Sequence, residues 1–191
     1  MPVGAEKILE TFRANPSFLM IDAVAPHKGH AQALSAFELF WSRDVNVNLV
    51  IVSKQGWVED SLIQKIRSHP ELDKRLFWFR DISDEYLGGI YSASTCLIVA
   101  SEVECFGHPL IEAAQNKTPI IARDIPLFRE VAGIHACYFS GMAAEDLAAA
   151  ISRWLELYQD GQHPASDNLS WLTWKESAEN LQGILLNGRL D

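Results

Sequence analysis

The stretch CLIVASEVECFGHPLIEAAQNKTPIIA, residues 96–122, contains two kinds of pattern. Its first five residues and the four at 119–122 are short apolar runs with β-branched residues, which are typical of buried strands. Between them, residues 109–116 carry a helical pattern that opens on a proline. A strand, a helix and a second strand in this order predict a parallel strand pair with the helix packed against the sheet.

The same alternation extends along the chain on both sides of this unit. Buried strands are predicted at residues 18–23, 48–53, 76–79, 96–100, 119–122 and 137–139. Helices are predicted at residues 31–41, 57–68, 84–93, 109–116, 126–132, 144–158 and about 173–186. This order indicates an α/β fold: a single Rossmann-like domain in which a parallel sheet of about six strands carries helices on both faces. Ligands of such folds bind at the carboxyl ends of the strands.

The domain is expected to have its core at residues 18–160, followed by the helix at 173–186. A shorter helical pattern at residues 6–12 is expected to pack on the sheet edge, or to cap a domain severed from an upstream segment.

Composition narrows the class of protein. The chain has 191 residues, of which 48% are hydrophobic, so it is long enough for one well-buried domain. Its 16 basic and 25 acidic residues give a net charge of −9, which argues against a nucleic-acid partner. Three cysteines without paired spacing favour a reducing compartment, and neither a signal peptide nor a membrane-spanning run is visible. The sequence therefore predicts a cytoplasmic protein.

Two glutamates, Glu104 and Glu112, are separated by seven residues, which include a glycine and a proline. Pro109 suits the first position of a helix, and a helix N-terminus favours an anion because its N–H groups are free. A phosphate-bearing ligand is the natural occupant of this loop. Such spacing also arises by chance on solvated faces, so the pair gains meaning only from its context.

Four segments that follow predicted strands supply that context: residues 18–30, 50–57, 77–87 and 104–133. In this order they resemble the donor-site motifs of the GT-B-fold glycosyltransferases of family 4, also called group 1. The resemblance covers residues 18–186 and is strongest to bacterial transferases that build surface polysaccharides, many of them mannosyltransferases. It implies that the chain is the C-terminal, nucleotide-sugar-binding domain of such an enzyme, half of a GT-B fold.

The resemblance also implies a role for individual residues. Lys28 would hold the diphosphate of a nucleotide sugar, and Glu112 its ribose. Glu104 would be the catalytic carboxylate near the anomeric carbon, on a loop that meets the donor. Other donor-binding positions are Gly107, His108, Pro109, Ile82, whose main chain would meet the base, and Lys54, which would assist the phosphates. The resemblance implies no metal and no cofactor, since the nucleotide sugar is a substrate.

The departures from the family pattern cluster where the donor would lie. Most of them add a side chain where glycine is usual, which tightens the site or strains a turn. Asp22 would also bring a negative charge toward a diphosphate, at a cost of about 1 to 4 kcal/mol. The departing residues are Asp22, Ala23, His27, Ser53, Asp81, Cys105 and His108.

Several other side chains invite a functional interpretation, but packing is the expectation. Cys105 is expected to be a small buried thiol, because His108 is the one base evident nearby. His30 is expected to cap or pack rather than to catalyse. The tryptophans are expected to pack, with Trp171 and Trp174 able to face a partner lobe.

Two hypotheses of function follow. In the first, the chain is the donor lobe of a retaining hexosyltransferase that uses GDP-mannose or a related donor to extend a polysaccharide or glycolipid. It would need an N-terminal acceptor lobe, in cis or in trans, which could also bring peripheral membrane association, and the isolated chain would transfer poorly. In the second, the donor site has decayed and the domain stabilises a partner transferase. Dinucleotide and P-loop binding are disfavoured, because the glycine motifs of both are missing.

Overall fold

The computed structural model describes Pro2, residues 4–53 and residues 60–187. Within them, six strands form one parallel sheet in the order β3-β2-β1-β4-β5-β6. The strands are β1 (Ser17–Ile21), β2 (Asn48–Ser53), β3 (Leu76–Arg80), β4 (Cys96–Val99), β5 (Ile120–Arg123) and β6 (Cys137–Phe139). The predicted fold class, a Rossmann-like α/β domain, is confirmed.

Eight α-helices are found in the described residues. They are α1 (Ala5–Ala14), α2 (His30–Ser42), α3 (Asp60–Arg67), α4 (Asp84–Ala93), α5 (His108–Gln115), α6 (Pro126–Ala132), α7 (Ala144–Gln159) and α8 (Trp174–Asn187). A single 3-10 turn, Pro26–Lys28, lies between β1 and α2.

The sheet separates two apolar cores because successive strand side chains point to opposite faces. On one face, Phe18, Leu49 and Ile98 pack with residues of α2, α3 and α7. On the other, Leu19 and Val50 pack with residues of α1, α4, α5 and α6. Helices therefore cover both faces, which explains why the strands read as continuous apolar runs.

The strand order reverses between β1 and β4, which lie side by side in the middle of the sheet. In open parallel sheets the loops that follow two such strands leave a crevice between them, and ligands bind there. Lys28 follows β1 and Glu104 follows β4, so the topology brings two of the predicted donor residues to one place.

Several predicted boundaries need correction. Strand β1 ends at Ile21, two residues before the predicted end at residue 23, and α5 begins at His108 rather than at Pro109. The predicted helix at 57–68 is seen as α3, Asp60–Arg67, and residues 54–59 lie outside the described residues. Helix α1 packs at the edge of the sheet as expected, on one face, with Phe12 buried edge-on against Phe77 of the edge strand β3.

The described tryptophans differ in how far they are buried. Trp41 and Trp154 are buried as predicted, and Trp78 and Trp171 are half-buried against the cores. Trp174 is 86% exposed, so it does not pack within the described structure, and the alternative expectation that it faces a partner lobe stays a prediction. Trp57 lies outside the described residues.

The described helices include none that combines the length and the apolar character needed to cross a membrane.

Candidate functional site

Lys28 occupies the loop between β1 and α2. The 3-10 turn that carries it ends at Gly29, whose φ of 76° lies in the left-handed region that favours glycine. A Cβ at Gly29 would stand 2.5 Å from the carbonyl oxygen of Ala100, so this loop lies directly against the residue that follows β4. The glycine thus fixes the Lys28 backbone beside the switch point, the place between β1 and β4 where the strand order reverses.

Two carboxylates converge on the Lys28 ammonium. Its Nζ lies 2.5 Å from Oδ2 of Asp22 and 2.7 Å from Oε2 of Glu104. The second oxygen of each acid accepts a backbone N–H: Asp22 Oδ1 from Ala23 at 2.7 Å, and Glu104 Oε1 from Cys105 at 2.8 Å. All three charged side chains are largely shielded, with exposures of 15% for Lys28, 28% for Asp22 and 14% for Glu104. We call this group the lysine clamp.

The contacts within the lysine clamp shift the pKa values of Lys28 and Glu104. Burial lowers the pKa of Lys28, but the hydrogen bonds and charges of Asp22 and Glu104 outweigh it, and the pKa lies above its usual value. Burial likewise raises the pKa of Glu104, but the hydrogen bonds from Lys28 and Cys105 reverse this, and the net pKa is lowered. Both groups are therefore held in their charged forms.

The loop after β4 leads into α5 through Gly107, which is buried and has a φ of 69°. Pro109 lies in the first turn of α5, where a missing N–H costs nothing. His108 is exposed and stacks on Phe106, with ring centroids 5.4 Å apart. The Cys105 thiol is also exposed, which corrects the expectation of a buried thiol. Phe106 beside it is exposed as well, so this part of the loop is not covered by the described residues.

Glu112 lies just over one turn into α5 and is half-buried. Its Oε2 accepts a hydrogen bond of 2.9 Å from the hydroxyl of Tyr91, which α4 brings alongside. Burial, and then the neighbouring carboxylate, raise the pKa of Tyr91, so the phenol remains a donor. The described contacts thus unite Lys28 with Glu104, whereas Glu112 is held separately by Tyr91.

Ile82 lies in the loop between β3 and α4. This loop begins with Asp81 at a φ of 53° and ends with Ser83, which caps α4 by accepting the N–H of Tyr86. A non-glycine residue at positive φ is strained, as expected where glycine is usual. A cavity of about 540 Å³ opens between this loop and α1, lined by Phe79, Ile82 and Tyr86 among others. Lys28, Glu104 and Glu112 are not among its lining residues.

The remaining predicted positions divide by location. Lys54 lies outside the described residues. Ser53 is buried, and its hydroxyl accepts a hydrogen bond of 2.8 Å from the indole of Trp78, so this departure from glycine adds a packing contact. His27 is exposed on the 3-10 turn. Ala23 contributes a backbone N–H to Asp22.

His30 begins α2 and is only 1% exposed. Within the described structure neither of its ring nitrogens has a hydrogen-bond partner, so it packs and does not cap. Burial, opposed by the charge of Asp22, lowers its pKa to about 4. His30 and the clamp residues Asp22 and Lys28 line a cavity of about 10 Å³ beneath the loop. The imidazole is therefore neutral at physiological pH.

Sequence reasoning missed two partners. Asp22 was expected to repel a diphosphate, but not to bind Lys28, and Tyr91 was not considered at all. The signal for Asp22 lay in its position at a strand end facing a lysine loop. No local signal marks Tyr91, because its contact with Glu112 depends on how α4 and α5 pack side by side.

Comparison with known proteins identifies the family. Residues 6–168 match the family described as glycosyl transferases group 1. The chain therefore belongs to the group 1 glycosyltransferase family. It is 55% identical over 181 residues to the serotype-specific mannosyltransferase WbdA of Escherichia coli. That alignment covers 95% of this chain but 22% of WbdA, so the chain spans about a fifth of the relative's length.

Solved structures support the fold independently. The Anabaena protein Alr3699/HepE, solved with UDP-glucose, superposes with a TM-score of 0.71 at 15% identity, covering 99% of this chain and 54% of that one. The C-terminal domain of the group 1 family protein LpcC from Francisella tularensis superposes with a TM-score of 0.66 at 15% identity. It covers 96% of this chain and 93% of that domain. At this identity the likeness supports the fold alone.

Proposed function

We propose that this chain is the donor-binding lobe of a retaining glycosyltransferase that transfers mannose from a nucleotide sugar, with GDP-mannose favoured, to a growing polysaccharide or glycolipid. The observation that carries the proposal is the meeting of Lys28 and Glu104, 2.7 Å apart, at the switch point of a group 1 glycosyltransferase domain. A cation and a carboxylate placed there match what a departing nucleoside diphosphate and a reacting sugar need.

Each residue has a defined task in this proposal. Lys28 neutralises the diphosphate as it leaves, and Glu104 stands near the anomeric carbon, where positive charge develops. The N-terminus of α5, with Gly107, His108 and Pro109, faces the donor sugar. Glu112, oriented by Tyr91, accepts hydrogen bonds from the ribose hydroxyls. Ile82 meets the base through its main chain, and the donor binds without a metal ion.

The choice of mannose and of a nucleotide donor rests on relatives. WbdA, which is 55% identical where it aligns, is described as a mannosyltransferase. HepE, which shares the fold, was solved with UDP-glucose bound. Transfer also requires an acceptor lobe, in cis or in trans, which aligns the acceptor and excludes water. Any peripheral association with a membrane would come through that lobe.

The ribose contact gives a test that does not depend on transfer. The purified chain is titrated calorimetrically with GDP, UDP and ADP, and then with 2′,3′-dideoxy-GDP, in the presence of EDTA. We expect saturable binding to one nucleotide and at least about tenfold weaker binding to the dideoxy form, because Glu112 loses its partners. In Glu112→Gln this preference should largely disappear. Glu10→Gln, an exposed substitution on α1, is the matched control.

A second function has its own support. Trp174, Leu181 and Leu185 are exposed on α8, and such a row of apolar side chains suits a protein interface. A decayed domain that stabilises a partner transferase would bind none of the three nucleotides at millimolar concentration while remaining folded. It would instead form a lasting complex with that transferase, detectable by gel filtration.

A further inference from the structure

We propose that Asp22 determines how tightly this site accepts a phosphorylated ligand: its carboxylate occupies Lys28, and a donor diphosphate binds by displacing it. The inference rests on the proposed function, because it concerns the same lysine. It goes beyond the proposed function because it assigns to Asp22 the control of how tightly the site binds a phosphorylated ligand.

The geometry of the clamp is preorganised. Each carboxylate is held by one backbone N–H and offers its other oxygen to the ammonium, at 2.5 and 2.7 Å. Two of the three donors of Lys28 are therefore already used. The lysine cannot easily withdraw through its backbone, because Gly29 next to it lies against Ala100. A ligand must consequently compete with a carboxylate rather than meet a free cation.

The charge balance makes this competition unfavourable. Two carboxylates and one ammonium leave the clamp with one net negative charge, and a diphosphate adds more. The next residue, Ala23, adds no positive charge that would offset this balance. A carboxylate close to a phosphate weakens phosphate binding by repulsion, and dissolved salt reduces this effect.

Asp22 is the member of the clamp that can leave. Its side chain is 28% exposed, twice the value of Glu104 at 14%, so its carboxylate can turn toward water at a smaller cost. Glu104 lies in the loop that leads into α5 and is the catalytic candidate. Displacing Asp22 leaves the Lys28–Glu104 pair intact, which is the arrangement proposed for transfer.

The test replaces the charge but keeps the shape. Asp22→Asn can still accept the Ala23 N–H, yet it removes one negative charge from the clamp. We expect affinity for GDP and for inorganic pyrophosphate to rise about tenfold, with a smaller rise at high salt. Asp44→Asn makes the same change of net charge in the exposed turn after α2 and should leave both affinities unchanged. In Asp22→Asn/Lys28→Met the gain should vanish.

The two probes separate this inference from the proposed function. A gain for pyrophosphate without selective nucleotide binding supports the role of Asp22 and counts against the donor lobe. Selective nucleotide binding that is unchanged in Asp22→Asn overturns the proposed role of Asp22. Weaker binding also overturns it, since it would show that Asp22 orients Lys28 instead. If neither protein binds either probe while both remain folded, both proposals fail.

A second readout needs no ligand. The Lys28 ammonium can be titrated by NMR through its labelled side chain. We expect its pKa to fall in Asp22→Asn, because one of the two carboxylates that stabilise the charged form is gone. An unchanged pKa, together with an unchanged pyrophosphate affinity, would mean that Asp22 does not occupy Lys28 in solution.

Discussion

Glu112 is held in place by one neutral donor. The buried hydroxyl of Tyr91 reaches one carboxylate oxygen at 2.9 Å, and no side chain of the described residues donates to the other oxygen, which can receive a hydroxyl from a ligand. A hydrogen bond to one oxygen limits the directions in which the carboxylate can accept further hydrogen bonds. This arrangement reduces the rotamer freedom that a bound ribose would otherwise have to remove.

Removing that donor tests whether orientation matters. Tyr91→Phe should cost about 1 kcal/mol of unfolding free energy and weaken GDP binding about three- to tenfold, because Glu112 is then free to rotate. Urea unfolding and calorimetric titration measure the two effects. Tyr138→Phe is the control, since its hydroxyl donates to the carbonyls of Phe128 and Gly133. It should lose stability alone, and equal losses of affinity in the two variants would contradict an orienting role.

Among individual residues, the sequence predicted the location of those that belong to a local motif. Lys28 and Glu104 follow strands that lie side by side, so strand order alone brings them together. The contact of Tyr91 could not be predicted, because it depends on how α4 and α5 pack across a distance in sequence, whereas His30 packs as one of its two expectations had it. Asp22 was recognised as unusual, but its partner became clear only from side-chain geometry. The roles of Lys28, Glu104, Glu112, Ile82 and the α5 loop stay predictions.

The turn from β1 into α2 depends on one glycine for two reasons. Gly29 takes a φ of 76°, and an added Cβ would lie 2.5 Å from the Ala100 carbonyl oxygen. The first demand is conformational and applies at any left-handed position. The second is steric and arises because the loop after β1 contacts the loop after β4. Replacing Gly29 should therefore cost more unfolding free energy than replacing a left-handed glycine that has open space around it.

Two alanine substitutions separate these demands. Gly161 has a φ of 66° with no atom within 4 Å of an added Cβ, so Gly161→Ala should cost about 1 kcal/mol of unfolding free energy. Gly29→Ala should cost about 3 kcal/mol or more, because the backbone must also move. Urea unfolding of both variants measures the difference. Losses of equal size would show that the contact with Ala100 yields easily.

Element types were easier to predict than element ends. The apolar runs and helical patterns predicted each of the six strands, because buried parallel strands and amphipathic helices differ in period. The end of β1 was placed two residues late, since residues 22 and 23 look compatible with a strand but turn away to reach Lys28. Such ends are decided by the contacts of side chains at the site.

The whole molecule contains a buried imidazole that should make its stability depend on pH. The folded-state pKa of His30 is about 4, below its ordinary value of 6.5, so the unfolded chain binds a proton that the folded chain refuses. Its contribution to stability is therefore present above pH 6.5 and is lost as the pH falls toward 4. Glu104, whose pKa is also lowered, adds a loss in the same direction at lower pH.

The lowered pKa of His30 predicts how steeply the free energy of unfolding changes with pH. Between pH 7 and pH 5 the His30 contribution should fall by about 2 kcal/mol. Urea unfolding at several pH values measures it. His30→Leu should remove most of this dependence while costing little at pH 7, because the imidazole has no hydrogen-bond partner among the described residues. His27→Gln, in the exposed turn nearby, should keep the slope. A wild-type slope in His30→Leu would mean that other groups cause the acid sensitivity.

The order of strands also has a consequence for synthesis of the chain. Strand β1 pairs with β2 on one side, but on the other it pairs with β4, where Phe18 faces Cys96. A ribosome adds about 5–20 residues per second, so β4 follows β1 by several seconds. For that time the middle of the finished sheet is an open edge with apolar side chains, ready to pair with another nascent chain. Neighbouring ribosomes on one messenger therefore present the greatest risk of wrong pairing at this strand.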